Sequence, residues 1–130
     1  MIKEEKIQKS ETRIFKAVFL NTINHYDTLF CGTAMQLMDE VAFITATRFI
    51  HKIYVTVSSD RINFKQTLPA GTIIELAGRA SKIGNTSLDV RVEIFIEEMY
   101  STKRTKAIEG NFTLLALNEN KKPTKVLSNE

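Results

Sequence analysis

Residues 30–50 read FCGTAMQLMDEVAFITATRFI. From Gly32 to about Lys52 the residues are good helix formers, with no further glycine or proline, so the stretch predicts one long helix. Leu37, Val41, Ile44 and Arg48 mark one stripe at helical spacing. Met35, Asp39, Ala42, Phe43, Ala46 and Ile50 mark another. A helix that is apolar around most of its circumference is expected to be surrounded by protein. Yet Asp39 and Glu40 stand side by side near its start, and a buried carboxylate without a partner is costly. What Asp39 faces is therefore the question on which the function turns.

The segments around this helix read as strands. TRIFKAVFL (12–20) is β-branched and aromatic, and NTINHYDT (21–28) after it is a polar loop. Downstream come YVTVSSDRINF (54–64), TIIELAGRASK (72–82) after the LPAG turn, and TSLDVRVEIFIEE (86–98) after a Gly84-Asn85 hairpin signal. In the last of these, Leu88, Val90, Val92, Ile94 and Ile96 alternate onto one face, as in a half-buried antiparallel strand. KRTKAIEGNFTLLAL (103–117) is the fifth, with Ile108, Phe112 and Leu114 on one side. One strand, a long helix and four antiparallel strands imply an α+β fold, a curved five-stranded sheet wrapped around one central helix. An edge strand that a second copy could extend predicts a dimer.

The chain of 130 residues suits a single domain spanning 1–130, with about 1–11 and 120–130 expected as loose polar tails. With 43% hydrophobic and 25% charged residues the composition is that of an ordinary globular protein. A net charge of +3, with basic residues scattered among acids, gives no stripe for nucleic acid. No apolar run reaches the roughly 20 residues of a membrane helix. The charged start MIKEEKIQKSE is no secretory signal. A lone Cys31 allows no internal disulfide and no multi-cysteine metal site, and it suits a reducing cytoplasm.

Three stretches carry a resemblance: N-x-x-x-D-x-x-F-x-G-T-x-M-x-x-M-D-E-V-A (24–42), DRINFKQTLPAGTIIELAGR (60–79) and SKIGNTSLDVRVEIF (81–95). Together they strongly resemble the acyl-CoA hydrolase branch of the hotdog-fold thioesterases, over roughly residues 12–125. The resemblance implies hydrolysis of acyl-CoA thioesters to fatty acid and coenzyme A, with no metal, no nucleophilic serine and no cofactor, since coenzyme A is part of the substrate. It implies active sites at the interface of a homodimer, and dimers assembled further into a hexamer or tetramer. It carries an asparagine from the loop of one protomer onto Asn24 and an aspartate from the helix of the other onto Asp39.

These residue types suit thioester hydrolysis. Asp39 can take a proton from water as general base, or attack directly to form an anhydride. Asn24 can hold the water or the carbonyl. The Gly32 backbone N–H, at the start of the helix, is an unpaired donor suited to an oxyanion. The plainer reading of Asp39 is a helix-terminal carboxylate favoured by the dipole. Glu40, about 100° around the helix, is expected to make a structural bond or ion pair.

Phosphates of the nucleotide call for cations and backbone N–H groups. The candidates are Arg61, Lys65, Lys82 and the turn of Gly84, Asn85, Thr86 and Ser87, with Arg104 and Lys106 from a neighbouring subunit. The family resemblance ranks Lys82 and the turn first. Met35, Leu37, Met38 and Phe43 are candidates for an apolar acyl slot, or plain core. Cys31 with His25 as base would make a nucleophile, but a packed thiol is the simpler reading. The family usually carries glycine at the position of Cys31. A hydratase or dehydratase using His25 and Asp39 lacks the proline-rich loop that such enzymes carry after the histidine. A non-catalytic acyl-CoA binder would not need the intact Asn24, Gly32 and Asp39 set.

Overall fold

A computed structural model describes residues 3–19, 23, 28–29 and 31–127. Its elements in chain order are α1 (Lys3–Ser10), β1 (Thr12–Ala17), α2 (Cys31–Phe49), β2 (Ile53–Phe64), β3 (Thr72–Ile83), β4 (Ser87–Glu98) and β5 (Arg104–Leu117). All strand pairs are antiparallel, in the order β1-β3-β4-β5-β2. β3, β4 and β5 form a meander, and β1 and β2 are the two edges. The chain passes from one edge to the other through α2, which lies across the inner face.

The contact between helix and sheet follows from side-chain size. α2 buries Ala34, Met38, Val41, Ala42, Thr45, Ala46 and Phe49. That face runs between the two stripes read from the sequence. Small residues there let the helix settle onto the sheet, and Gly78 of β3 completes the fit. A Cβ on Gly78 would stand 2.6 Å from Thr45 Oγ1 and 2.7 Å from Val41 Cγ1. The inward row of β4, Leu88 to Ile96, is buried as the alternation requires. Phe43 remains 48% exposed, so within one chain the helix is not enclosed all round.

Both ends are better anchored than the expected loose tails. At the start, α1 carries Ile7 against the core. Arg48 of α2 donates to Lys9 O and Glu11 O, each at 2.7 Å, and so satisfies carbonyls at the end of α1 that have no partner within it. At the other end, Val126 is fully buried and its N–H bonds Asn85 O at 2.9 Å, beside a bridge between Leu117 and Pro123.

The outer face of the sheet is built of ion pairs. Glu75 sits between Phe15 of β1 and Phe95 of β4 in register and is only 3% exposed. Its Oε2 accepts from Arg13 Nη1 at 3.2 Å and its Oε1 faces Arg104 Nη2. Arg104 crosses β4, with its guanidinium 4.0 Å from the Phe95 ring centroid. Arg91 and Lys65 both meet Glu109, and Lys106 meets Glu93 at 2.6 Å.

Candidate active site

Asp39 lies in the third turn of α2, because the helix already begins at Cys31 and its first turn holds no acid. A dipole effect confined to the first turn does not explain a carboxylate there. Asp39 points to the β2 side, where Thr56 Oγ1 donates to its Oδ1 at 2.6 Å. The pair opens on a hollow of about 510 Å³ whose lining includes Gln36, Phe43 and Tyr54. Asp39 is half-buried and Thr56 exposed. The Asp39 carboxylate therefore has one oxygen oriented by a hydroxyl, while its other oxygen, Oδ2, has no hydrogen-bond partner among the described residues.

Thr56 was not a residue that the sequence singled out. A threonine in a strand is ordinary. Its parity with Tyr54 gives the inward direction, but only the helix crossing at Asp39 gives it a role. Tyr54 itself is 4% exposed, and its hydroxyl has no hydrogen-bond partner among the described residues. Burial pushes its phenol up to about 12. Glu40 is exposed, and no described residue bonds or pairs with it, contrary to the expected structural contact.

Gly32 is the second residue of α2 and is exposed. A Cβ added there would meet nothing within 4 Å, so the packing of this chain does not require glycine at the position. Asn24 and His25 lie outside the described residues. Cys31 is exposed at the head of the helix. Of the candidates for the acyl slot, Met38 is wholly core, Phe43 faces the hollow of Asp39, and Leu37 faces β1.

The phosphate candidates fall into two groups at opposite ends of the sheet. Arg61 and Lys65 lie at the end of β2, on the side of the helix start. Arg61 is exposed and holds a left-handed φ of 53° in a bulge of β2, between Asp60 and Asn63. Lys65 is engaged with Glu109 at 3.1 Å, and that ammonium holds the Glu109 carboxyl below the usual range. Lys82 and the Gly84–Ser87 turn lie at the far end. There Gly84 N–H bonds Ser87 O, while Asn85 O and Thr86 O accept from Val126 and Ala116. The turn's carbonyls thus hold the C-terminal segment and β5. Arg104 and Lys106 are committed to acids of the outer face. Among the described residues no three His, Cys, Asp or Glu side chains converge as metal ligands, and no helix is long and apolar enough to cross a membrane.

Residues 26–103 match the family model described as the thioesterase superfamily. Protein VdlD of Helicobacter pylori is 32% identical over 103 residues, covering 79% of this chain and 59% of that protein. This chain thus spans about three fifths of the length of that relative. The uncharacterized acyl-CoA thioester hydrolase YkhA of Bacillus subtilis is 32% identical over 124 residues, covering 95% of this chain and 69% of its own. Among solved structures, an acyl-CoA hydrolase of Staphylococcus aureus in complex with butyryl coenzyme A, coenzyme A and coenzyme A disulfide superposes with a TM-score of 0.87. It is 31% identical, over 92% of this chain and 73% of that one. Further structures of that enzyme carry alanine in place of an asparagine, an aspartate or a threonine. An apo-hexameric acyl-CoA thioesterase gives a TM-score of 0.88 at 30% identity, over 92% of this chain and 76% of that one.

Proposed function

Since this chain belongs to the thioesterase superfamily and has its hotdog fold, we propose that it hydrolyses acyl-CoA thioesters, with Asp39, Thr56, Asn24 and Gly32 as the working groups. The observation that carries this reading is the bond from Thr56 to Asp39. In the S. aureus enzyme the substituted asparagine, aspartate and threonine are separated by 15 and 17 residues. Asn24, Asp39 and Thr56 have the same two separations.

Thr56 fixes Asp39 so that Oδ2 takes the proton of a water. The water oxygen attacks the thioester carbon, and negative charge gathers on the carbonyl oxygen. The Gly32 N–H meets that oxygen at the positive end of α2, where the first N–H groups have no partner within the helix. The empty space beside the Gly32 α-carbon supports this role, since a side chain there would intrude on the ester rather than on the protein. Asn24 holds the water or the carbonyl. Coenzyme A leaves as the thiol, with the proton returned by Asp39.

The site draws on two protomers. β2 is an edge strand with Ile53, Val55 and Val57 exposed at 51%, 42% and 54%, which is a poor surface to leave in water. Antiparallel pairing of β2 with its copy brings the start of one strand to the end of the other. The partner's Gly84–Ser87 turn and Lys82 then approach the end that carries Arg61 and Lys65. That arrangement gathers the two phosphate-binding groups that one chain keeps apart. Arg61, Lys65, Lys82 and the turn of Gly84, Asn85, Thr86 and Ser87 bind the nucleotide, and the dimers assemble further into hexamers. No cofactor enters the reaction.

Subunit mixing tests this arrangement. Asp39→Ala and Asn24→Ala are each inactive in thiol release, but exchanged together they recover about one quarter of wild-type turnover, since half the dimers are mixed and each has one intact site. No recovery after verified exchange refutes a shared site. Full activity of Asp39→Ala refutes the hydrolase mechanism.

A further inference from the structure

Apart from Leu127, the large apolar side chains left exposed among the described residues fall into two groups. Phe43, Ile53, Val55, Val57 and Phe64 lie on or beside β2, where the reading above places the dimer contact. Phe15, Phe19, Met99 and Tyr100 lie away from that edge, and nothing in that reading uses them. They are exposed at 57%, 66%, 40% and 98%.

This second group meets at one corner of the sheet, where β1 and β4 end and β3 and β5 begin. Val18 N–H bonds Thr72 O at 2.9 Å and Gly71 N–H bonds Val18 O at 3.0 Å, so Phe19 leaves β1 beside the turn before β3. Gly71 and Thr72 share a hollow of about 380 Å³ with Met99 and Tyr100 of the β4–β5 turn. Phe15 stands on β1 in register with Glu75. Large apolar side chains present roughly 150–250 Å² each, so at these exposures the corner offers about 500 Å² per chain. A soluble monomer rarely leaves that much apolar surface in one place.

We propose that this corner is the contact between one dimer and the next, and that its occupant is the same corner of a second copy of this chain. The proposal rests on the β2-paired dimer above and names the surface through which such dimers assemble further. Two facing corners bury about 1,000 Å², the area at which a specific contact becomes stable. The rim carries both signs of charge, with Lys16, Lys103 and Glu98 exposed around the apolar residues. A patch of mixed sign can complement its own copy across a two-fold axis. The outer face beyond Phe15 offers no such surface, since its charges pair within the chain. A β2-paired dimer carries one such corner at each end of its joined sheet. The two kinds of two-fold contact then alternate and close a ring, with three dimers making a hexamer that has no open end.

Sedimentation tests the surface separately from the site. Wild type should sediment as an assembly larger than a dimer, of six chains under the reading above. Tyr100→Asp and Phe15→Ser, each shown to be folded by circular dichroism, should sediment as two chains, a threefold fall in mass. Their kcat/KM in thiol release from butyryl-CoA should stay within twofold of wild type, because neither residue belongs to the proposed site. Folded variants of wild-type mass overturn the proposal. A wild type no larger than a dimer also overturns it and leaves the β2 pairing standing, whereas a monomeric wild type refutes both.

Discussion

Replacing Thr56 with valine removes one hydroxyl and nearly preserves the shape of the side chain. The bond lost is Thr56 Oγ1 to Asp39 Oδ1 at 2.6 Å, within the range of short hydroxyl–carboxylate bonds. A bond to a charged group contributes roughly 1.5–3 kcal/mol when well shielded. Within a single folded chain Thr56 is exposed, and solvent screening leaves about 1 kcal/mol or less of stability in it. The melting temperature should therefore fall by no more than about 2–6 °C. Turnover is a different matter, because substrate and partner exclude water from the pair when the site is assembled. If the full range is then needed to hold Asp39 toward the attacking water, kcat falls roughly 10- to 150-fold. KM should change little, since Thr56 does not touch the nucleotide. Steady-state thiol release on butyryl- and decanoyl-CoA measures both constants, and Thr56→Ser should recover most of kcat. A folded Thr56→Val enzyme within twofold of wild-type kcat would refute the orientation of Asp39 by this hydroxyl.

Other perturbations separate the remaining roles. Arg61→Gly relieves a left-handed backbone that costs an L-residue roughly 1–2 kcal/mol, set against the greater chain entropy of glycine. Thermal unfolding should show stability unchanged or slightly raised, while KM for acyl-CoA rises severalfold; an unaltered KM excludes the guanidinium from phosphate binding. Tyr54→Phe removes a buried hydroxyl that has no partner among the described residues and should stabilise the protein by roughly 1 kcal/mol in urea unfolding at neutral pH. With the Tyr54 phenol pushed up to about 12 from the unfolded 10, its contribution is complete below pH 10 and is lost as pH rises toward 12. That loss is roughly 2–3 kcal/mol, and the phenylalanine variant should escape it. Val57→Lys on the exposed edge of β2 should lower the mass seen in sedimentation if dimers pair there, and abolish thiol release with it. An assembly of unchanged mass and activity would move the interface elsewhere.

The parts of the fold legible in the sequence are those with a period. The β4 alternation and the Gly84-Asn85 turn specify the meander, and the run after Gly32 specifies the helix. What escaped depends on distant partners. α1 holds Ile7 among charged neighbours, and its docking rests on Arg48, which lies 37 and 39 residues from its backbone acceptors. The C-terminal segment looks polar, yet Val126 is core because Asn85 receives its N–H. The two apolar stripes of α2 proved to flank its buried face, because alanines and Thr45 approach the sheet where larger residues would not fit. Asp39 was found by resemblance, and Thr56 appears only when strand and helix are set side by side. Asn24 lies outside the described residues, so its role rests on the resemblance and on its separation from Asp39.

Glu75 has a consequence for how the sheet assembles. Its two arginines come from β1 and β5, so one carboxylate ties together strands that span four positions of the sheet. A slip of β3 by one residue would turn Glu75 toward the helix. The acid would then lie in the apolar interior with neither guanidinium in reach, at a cost of several kcal/mol. The salt lattice outside thus acts as a key for alignment: a mispaired sheet is penalised at a residue that takes no part in catalysis.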